Sequence, residues 1–287
     1  MKLIDLHVDS TASDGSLTPT EVVNRAAGLG LTAMALTDHD TVSGIDEALK
    51  AAKDLDMEVI PGIEVSCIYK EKEIHILGLY IDHTNPELLS FLKEASRKRY
   101  DRNMEMLAAF RKDGFALTEE DLFCGNPKTI VTRAHFARAL LKHGYVTSVD
   151  QAFKKYLNPD RPYYRSRELI TPEEVLTVLL GAGGFPVLAH PLLYKLGWAE
   201  TEALIAMLTD HGLRGLECFH SSNNQDESGK LRKLAKKYAL APTGGSDFHG
   251  AAKPDIEIGS GRGGLRVSAL YLDDIKLAMF LGGTMHA

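Results

Sequence analysis

The sequence predicts an α/β fold in which a mainly parallel sheet closes into a barrel and a helical insertion interrupts it. Apolar strand-like segments alternate with helical patterns over residues 1–86 and again over residues 166–287, as in βα units. Residues 87–165 contain helical patterns with no clear strand. Most predicted strands are followed at once by histidine or a carboxylate, as expected where strand ends converge on one face of a barrel.

The first part begins with a predicted strand at Leu3–Val8. A helix follows, with Thr18 as N-cap, a proline next, and Glu21 in the capping-box position. The elements expected next are a strand at 32–36, a helix at 43–55, a strand at 57–60, and a hairpin with arms at 63–68 and 73–81.

The third part repeats the same helix start, with Thr171 as cap and Glu174 three residues later. The remaining elements are strands at 185–189, 213–219 and 240–243 and helices at 226–238 and 273–281. The insertion between the two parts is expected to be a basic cap over the site, and its basic side chains include Arg97, Lys98, Arg99, Arg102, Arg111 and Lys112.

Composition narrows the class of protein. The net charge of −6 and the pI near 6 provide no global field to attract DNA or RNA, so an anionic substrate needs local cations. No apolar run reaches the roughly 18 residues of a membrane span. Cys67, Cys124 and Cys218 are far apart and form no CxxC pair, which favours a reducing compartment. We expect a cytoplasmic protein with no membrane or DNA partner.

Residues that can bind metals follow the predicted strands. A single histidine at a strand end is more often structural, but at least five separate strand ends carry histidine or a carboxylate. Imidazole and carboxylate together suit zinc, manganese or iron, and a carboxylate such as Glu64 or Asp247 can bridge two ions. Ions about 3.5–4 Å apart can assist phosphoryl transfer. The residues concerned are His7, Asp9, Asp14, Asp38, His39, Asp40, Glu64, His75, His190, Asp247 and His249.

These segments resemble the PHP family, the polymerase-and-histidinol-phosphatase group of metal-dependent phosphoesterases. The resemblance spans the chain through D-L-H-V-D-S, A-L-T-D-H-D-T-V-S-G, P-G-I-E-V-S, E-I-H-I-L-G-L-Y, P-V-L-A-H-P and G-S-D-F-H-G. It implies a distorted (β/α)7 barrel of the TIM-like type that holds two or three divalent ions.

The resemblance also implies how the ligands are shared. One ion would use His7, Asp9, Glu64 and Asp247. A second would use Glu64, His75 and His190, and a third His39 and His249 with Asp14. The family's second histidine is Asp9 here, and Asp14 stands where some relatives have histidine. Because oxygen replaces nitrogen at both positions, manganese or magnesium is favoured over zinc, with iron also possible.

Two further segments resemble PHP proteins that act on 3′,5′-bisphosphonucleotides and on the 5′ ends of short RNA: V-T-R-A-H-F-A-R-A-L-L and F-H-S-S-N-N. They make Arg133 and His135 candidates to bind a phosphate, or else a surface pair at a helix start. Asn223 and Asn224 are candidate substrate contacts or a capping turn. Tyr163, Tyr164 and Arg165 could stack on a base or pack the linker.

The expected reaction releases the 3′-phosphate of adenosine 3′,5′-bisphosphate, with a small nucleotide as substrate. His190, His249 and Asp247 are the candidate catalytic residues, and the sequence does not choose the proton donor. Three alternatives remain: a 5′-3′ exoribonuclease on short single-stranded RNA, a histidinol-phosphate phosphatase, and a regulatory module with a degenerate metal site. The oligomeric state is not predicted.

Overall fold

The structure is a computed structural model that describes residues 2–123, 125, 129–165 and 170–283. Within these residues, eight strands form one sheet in the order β7-β6-β5-β4-β3-β2-β1-β8. The strands are β1 Leu3–Val8, β2 Ala33–Leu36, β3 Glu58–Tyr69, β4 Lys72–Leu79, β5 Phe185–Leu188, β6 Gly215–His220, β7 Ala241–Gly245 and β8 Val267–Ser268.

Most of the sheet is parallel, and it nearly closes on itself. The strands β1, β2 and β3 pair in parallel, as do β5, β6 and β7, while β4 runs antiparallel to both of its neighbours. The seam lies between β1 and the segment after β7. There the Asp247 N–H donates to the His7 carbonyl at 2.9 Å and the Asp9 N–H to the Phe248 carbonyl at 3.0 Å. The predicted α/β barrel is confirmed.

The seam requires a residue without a side chain at position 245. A Cβ on Gly245 would lie 2.3 Å from the His7 Cβ and 2.5 Å from its backbone nitrogen. We therefore expect Gly245→Ala to lower the melting temperature by about 6 °C or more, from a cost of about 3 kcal/mol. Gly229→Ala is the matched control, because a Cβ there meets nothing within 4 Å. Equal melting temperatures for the two variants would contradict this description of the seam.

Helices cover the barrel and form the insertion. They are α1 Pro19–Gly28, α2 Ile45–Ala51, α3 Pro86–Lys112, α4 Glu119–Phe123, α5 Arg133–Lys142, α6 Val149–Ala152, α7 Pro172–Gly181, α8 Trp198–Asp210, α9 Gln225–Lys237 and α10 Leu270–Gly283. A π-helical turn at Phe153–Leu157 and 3₁₀ turns at Pro191–Tyr194 and Gly250–Ala252 complete the set. The capping boxes predicted at Thr18 and Thr171 are both present. Within the described residues, no helix is long and apolar enough to span a membrane.

Several elements differ from the sequence prediction, and the short strand β8 was not predicted. The strand at 57–60 and the first hairpin arm form one continuous strand, β3, because Pro61 still pairs with β2 while the next residue already pairs with β4. Helix α8 was not predicted, since Gly197 at its N-cap provides no side-chain hydrogen bond as a start signal. Helix α10 begins three residues before the predicted start. Cys124, and His286, a histidine with no motif context that we expect at the surface or in packing, lie outside the described residues.

The insertion has an apolar core of its own, separate from the core clusters of the barrel. Phe110 lies at its centre, and the Tyr163 ring stacks on it with centroids 3.8 Å apart. The Tyr163 hydroxyl donates to Asp113 at 2.7 Å, so this side chain is committed to packing. The suggestion that Tyr163 stacks on a substrate base is therefore wrong.

Candidate metal centre

The carboxyl ends of the strands bring nine side chains to one rim of the barrel. His75 of β4 reaches the same rim because β4 runs antiparallel to β3 and therefore begins near that rim. The nine fall into overlapping groups whose ligand atoms lie within 4.8 Å of one another. They are His7, Asp9, Asp14, His39, Glu64, His75, His190, Asp247 and His249, the full set predicted from sequence.

Glu64 lies at the middle of the cluster. Its Oε1 is 2.9 Å from His75 Nδ1 and 2.8 Å from His190 Nε2. Its Oε2 is 3.0 Å from His39 Nδ1 and 3.4 Å from His7 Nε2. One buried carboxylate thus faces four imidazoles, which is the arrangement a bridging ligand requires.

A second set of carboxylates surrounds His249. Its Nε2 is 3.1 Å from Asp14 Oδ1, and its Nδ1 is 3.5 Å from Asp9 Oδ2 and 3.4 Å from Asp247 Oδ1. Asp9 therefore belongs to two groups, one with Asp14, His39 and His249 and one with His7 and Asp247. The division into three ligand sets expected from the family resemblance placed Asp9 only with His7 and Asp247, and not with His249.

The donor set fits divalent cations. Six buried polar atoms of the cluster form no well-directed hydrogen bond within the described part of the chain, although several lie close to an oppositely charged group, and proteins normally avoid this arrangement. Divalent cations would satisfy the atoms that face the centre of the cluster, and mixed imidazole and carboxylate donors suit manganese, iron or zinc. The six are His7 Nε2, Asp9 Oδ2, Asp14 Oδ1, His39 Nδ1, Glu64 Oε2 and His190 Nδ1.

The electrostatics of the cluster also favour an added positive charge. Burial raises the pKa of Asp9 to about 7, although His249 and His39 oppose the shift. Burial alone would also raise the pKa of Glu64, but the charges of His39 and His75 hold it well below its usual range. Desolvation lowers the pKa of the partly buried His75 imidazole, but the charge of Glu64 outweighs this effect and raises that pKa to about 9. The raised pKa values of Asp9 and His75 mean that these side chains hold protons where a bound cation would otherwise supply the positive charge.

A second layer of residues orients the cluster. Glu217 Oε1 lies 3.0 Å from His7 Nδ1, which leaves His7 Nε2 facing Glu64. The other oxygen of Glu217, Oε2, accepts a hydrogen bond from the backbone N–H of His190 at 2.6 Å. Asp5 accepts backbone N–H groups from His7 and Ser246 at 3.2 and 2.9 Å. Such partners fix the tautomer and direction of a ligand.

Sequence reasoning missed Glu217, Asp5 and His220, whose Nε2 lies 3.3 Å from Asp247 Oδ2. Glu217 and Asp5 are acidic residues inside apolar strands, and this was the available signal. The backbones of His190 and Asp247 also have positive φ, at 22° and 57°. A non-glycine residue in that region costs about 1–3 kcal/mol and is often found at functional sites.

The two other acidic residues of the second strand end serve the fold. Asp38 accepts hydrogen bonds from the backbone and hydroxyl groups of Ser10 and Ser13, which shapes the loop that carries Asp14. Asp40 forms a buried ion pair with Arg99 of α3, and so joins the barrel to the insertion.

A cavity of about 240 Å³ opens beside the cluster, under the insertion. Asp14, His39, His75 and His249 form its floor. Its walls are cationic on balance, since they carry the acidic Glu73 and five basic side chains: Arg99, Arg102, Arg133, Arg138 and Lys253. Lys253 Nζ lies 2.5 Å from Asp247 Oδ2. Arg133 pairs with Glu73 at 3.1 Å, and its guanidinium lies 5.6 Å from the Tyr164 ring centre.

Three of the four predicted substrate contacts lie elsewhere. His135 is buried, accepts the Thr132 N–H at its Nδ1 and caps α5 rather than lining the cavity. Burial lowers its pKa to about 4, so it is neutral. Asn224 caps α9, and Asn223 donates to the Cys218 carbonyl. Only Arg133 lines the cavity.

Comparison with known proteins identifies the family. The PHP domain matches residues 5–163. A 3′,5′-nucleoside bisphosphate phosphatase of Chromobacterium violaceum is 37% identical, over 90% of this chain and 91% of that protein. The chain belongs to the PHP family. A 5′-3′ exoribonuclease of Haemophilus influenzae is also 37% identical, over 86% of this chain and 90% of that protein.

The solved structures agree. A Bifidobacterium adolescentis protein described as a metal-dependent phosphoesterase is 29% identical and superposes with a TM-score of 0.83, covering 96% of this chain and 95% of that one. This PHP protein is therefore a hydrolase of phosphate esters, of a family that depends on metals.

Metal removal tests the fit of this PHP cluster to cations. We expect 1 mM Mn²⁺ to raise the melting temperature of the chelator-treated enzyme by about 5–10 °C at pH 8, if it is near 100 times the Kd. The increase should be smaller at pH 6. The pKa of Asp9 is raised to about 7 and that of His75 to about 9, so protons compete better with the cation as the pH falls. A pH-independent shift would contradict binding at these residues.

Proposed function

We propose that this enzyme hydrolyses the ester at the 3′ oxygen of nucleotides that carry a 5′-phosphate, and converts adenosine 3′,5′-bisphosphate to AMP and phosphate. The observation that carries the proposal is the cationic cavity directly beside the cluster. A substrate with two separate phosphates needs two anion sites, and these two features supply them a short distance apart.

The cavity wall is suited to phosphate. Arg99 and Arg102 are both 6% exposed, so their charges act in a partly desolvated space. The Nε atoms of both are buried without a hydrogen-bond partner in the described part of the chain. Planar guanidinium groups bind phosphate oxygens in pairs, which favours them over lysine for this task. The 5′-phosphate would therefore act as a handle that positions the 3′ ester.

The nine cluster residues would hold two or three divalent ions, with Mn²⁺ proposed because carboxylates supply four of the nine ligands. When bound, such ions lower the pKa of the attacking water and neutralise charge on the phosphoryl group. Glu217 keeps His7 turned towards Glu64. Lys253 lines the cavity, is not one of the nine ligands, and is the group placed to give a proton to the departing 3′ oxygen. His249 lines the cavity too, but would be held by an ion. His190 lies deeper, against Glu64.

The second candidate is 5′-3′ exonucleolysis of short RNA. It is supported by the Haemophilus influenzae relative, which is as similar as the phosphatase. The bond broken is equivalent, because a 5′-phosphorylated RNA end also presents a phosphate ester at the 3′ oxygen of its first nucleotide. Histidinol phosphate fits less well, since its ammonium group would enter a cavity lined by four arginines.

Substrate comparison tests the proposal. We expect kcat/KM of the Mn²⁺-loaded enzyme for adenosine 3′,5′-bisphosphate to exceed that for 3′-AMP by about 100-fold or more, because one well-formed phosphate contact contributes about 3 kcal/mol. Product analysis on a 5′-phosphorylated trinucleotide measures the second candidate in parallel. Equal rates for 3′-AMP and the bisphosphate, or faster hydrolysis of histidinol phosphate, would overturn the proposal.

A further inference from the structure

A groove on the outer face of the barrel combines an aromatic ring with several cations. It lies between α8 and α9 and is lined by Trp198, Glu202, Lys230, Lys233, Leu234 and Lys237. Trp198 is the only tryptophan in the chain. It is 38% exposed, although a side chain of this size is usually well covered.

The charges in the groove favour an anion. Lys230 Nζ lies 5.1 Å from the centre of the Trp198 ring. Lys237 pairs with Glu202 at 2.5 Å, and in the described part of the chain neither Lys230 nor Lys233 forms an ion pair. Three lysines thus face one carboxylate, in a protein whose net charge is −6. Because the Lys230 ammonium lies over this ring, a nucleobase would displace it to stack there, and the displaced ammonium could then neutralise a neighbouring phosphate.

Chain connectivity limits how far the groove can lie from a cleft that reaches the cluster. A second cleft overlaps the arginine cavity at His39, His75 and His249 but extends in another direction, to Leu193. Leu193 is 45% exposed. Trp198 follows it by five residues, so the two Cα atoms are at most about 17 Å apart. A strand leaving the cluster past Leu193 can therefore reach Trp198 within a few nucleotides.

We propose that this groove, the Trp198 groove, binds single-stranded RNA downstream of the bond that is hydrolysed. The first nucleotide occupies the arginine cavity, the scissile phosphate lies at the cluster, and a later base stacks on Trp198 with its neighbouring phosphates at Lys230 and Lys233. The inference rests on the proposed function, because it places a 5′-phosphorylated nucleotide in the arginine cavity.

Because Trp198 is the only tryptophan, its fluorescence reports on the groove directly. Stopped-flow mixing of the Mn²⁺-loaded enzyme with a 5′-phosphorylated RNA of ten nucleotides should quench this fluorescence before turnover. Adenosine 3′,5′-bisphosphate should not quench it. Quenching by neither, or equally by both, would overturn the proposal.

Charge reversal provides the second arm. We expect K230E/K233E and Trp198→Ala to lower kcat/KM for the ten-nucleotide RNA by about tenfold. Both should leave hydrolysis of adenosine 3′,5′-bisphosphate unchanged, which also shows that they fold. Trp198→Phe should retain most of the RNA activity. K50E/K53E, which changes the same charge at exposed lysines of α2 and the turn after it, is the matched control.

Each outcome decides one proposal. If the groove variants lose no more RNA activity than K50E/K53E, the groove is not an RNA site. The same conclusion follows if they lose as much activity on adenosine 3′,5′-bisphosphate as on RNA. If the wild-type enzyme hydrolyses neither substrate, the proposed function fails by itself. Fluorescence anisotropy of the labelled RNA then tests RNA binding in the groove without hydrolysis. If K230E/K233E binds this RNA as tightly as the wild-type enzyme does, the groove is not an RNA site.

Discussion

Glu64→Gln should lower kcat/KM for adenosine 3′,5′-bisphosphate by about 10³-fold or more, the largest loss we expect from a single substitution. Glutamine keeps the size of the side chain but removes the negative charge that faces His7, His39, His75 and His190. The variant should retain fewer divalent ions. Losing an interaction of about 4 kcal/mol in the transition state corresponds to this factor.

The measurement combines steady-state kinetics with elemental analysis of the purified variant. Glu105→Gln on the exposed face of α3 is the matched control and should keep full activity and metal content. A circular dichroism melt separates loss of metal from loss of fold. A Glu64→Gln enzyme with the metal content and rate of the control would show that this carboxylate does not hold the cluster together.

Arg133→Ala should lower kcat/KM for adenosine 3′,5′-bisphosphate by about 100-fold while changing the rate on 3′-AMP by less than about threefold. Arg133 is the one sequence-predicted phosphate contact that lines the cavity, where it pairs with Glu73. Truncating one partner of a charged hydrogen-bonded pair costs about 2–5 kcal/mol. 3′-AMP lacks the 5′-phosphate and therefore has nothing to lose at this position.

Two variants sharpen the comparison. Arg133→Lys should recover part of the loss, because lysine restores the charge but not the planar donor fork. Arg97→Ala removes an arginine that pairs with Glu94 and Asp101 on the surface of α3, and should have no effect. Equal losses on both nucleotides in Arg133→Ala would mean that Arg133 supports the cluster or the fold instead of the 5′-phosphate.

The sequence predicted the floor of the site better than its walls. His7, Glu64, His190 and Asp247 could be predicted to lie together because each follows or lies within a strand, and barrel geometry brings such positions to one rim. This prediction did not require knowing which strands pair with one another. The division of the nine residues into ligand sets depends on side-chain directions, and there the expectation placed Asp9 in one group where the structure places it in two.

The walls depend on contacts between distant segments, which residue patterns do not specify. Arg99 appeared only as one of several basic residues in the insertion, and its pairing with Asp40 follows from how α3 packs over the rim. His135 was expected at the surface or on a phosphate, but helix α5 begins inside the insertion, so its capping residue is buried. Tyr163 likewise faces Phe110 because the insertion needs its own core.

The most direct test is the anomalous scattering of crystals grown with Mn²⁺ and collected at the manganese edge. We expect at least two peaks within coordination distance of the cluster, with Glu64 a ligand of one or bridging two. His7, His75, His190 and His249 should each contact a peak. Peaks located elsewhere, or a cluster whose histidines and carboxylates contact only one another in saturating Mn²⁺, would contradict this expectation.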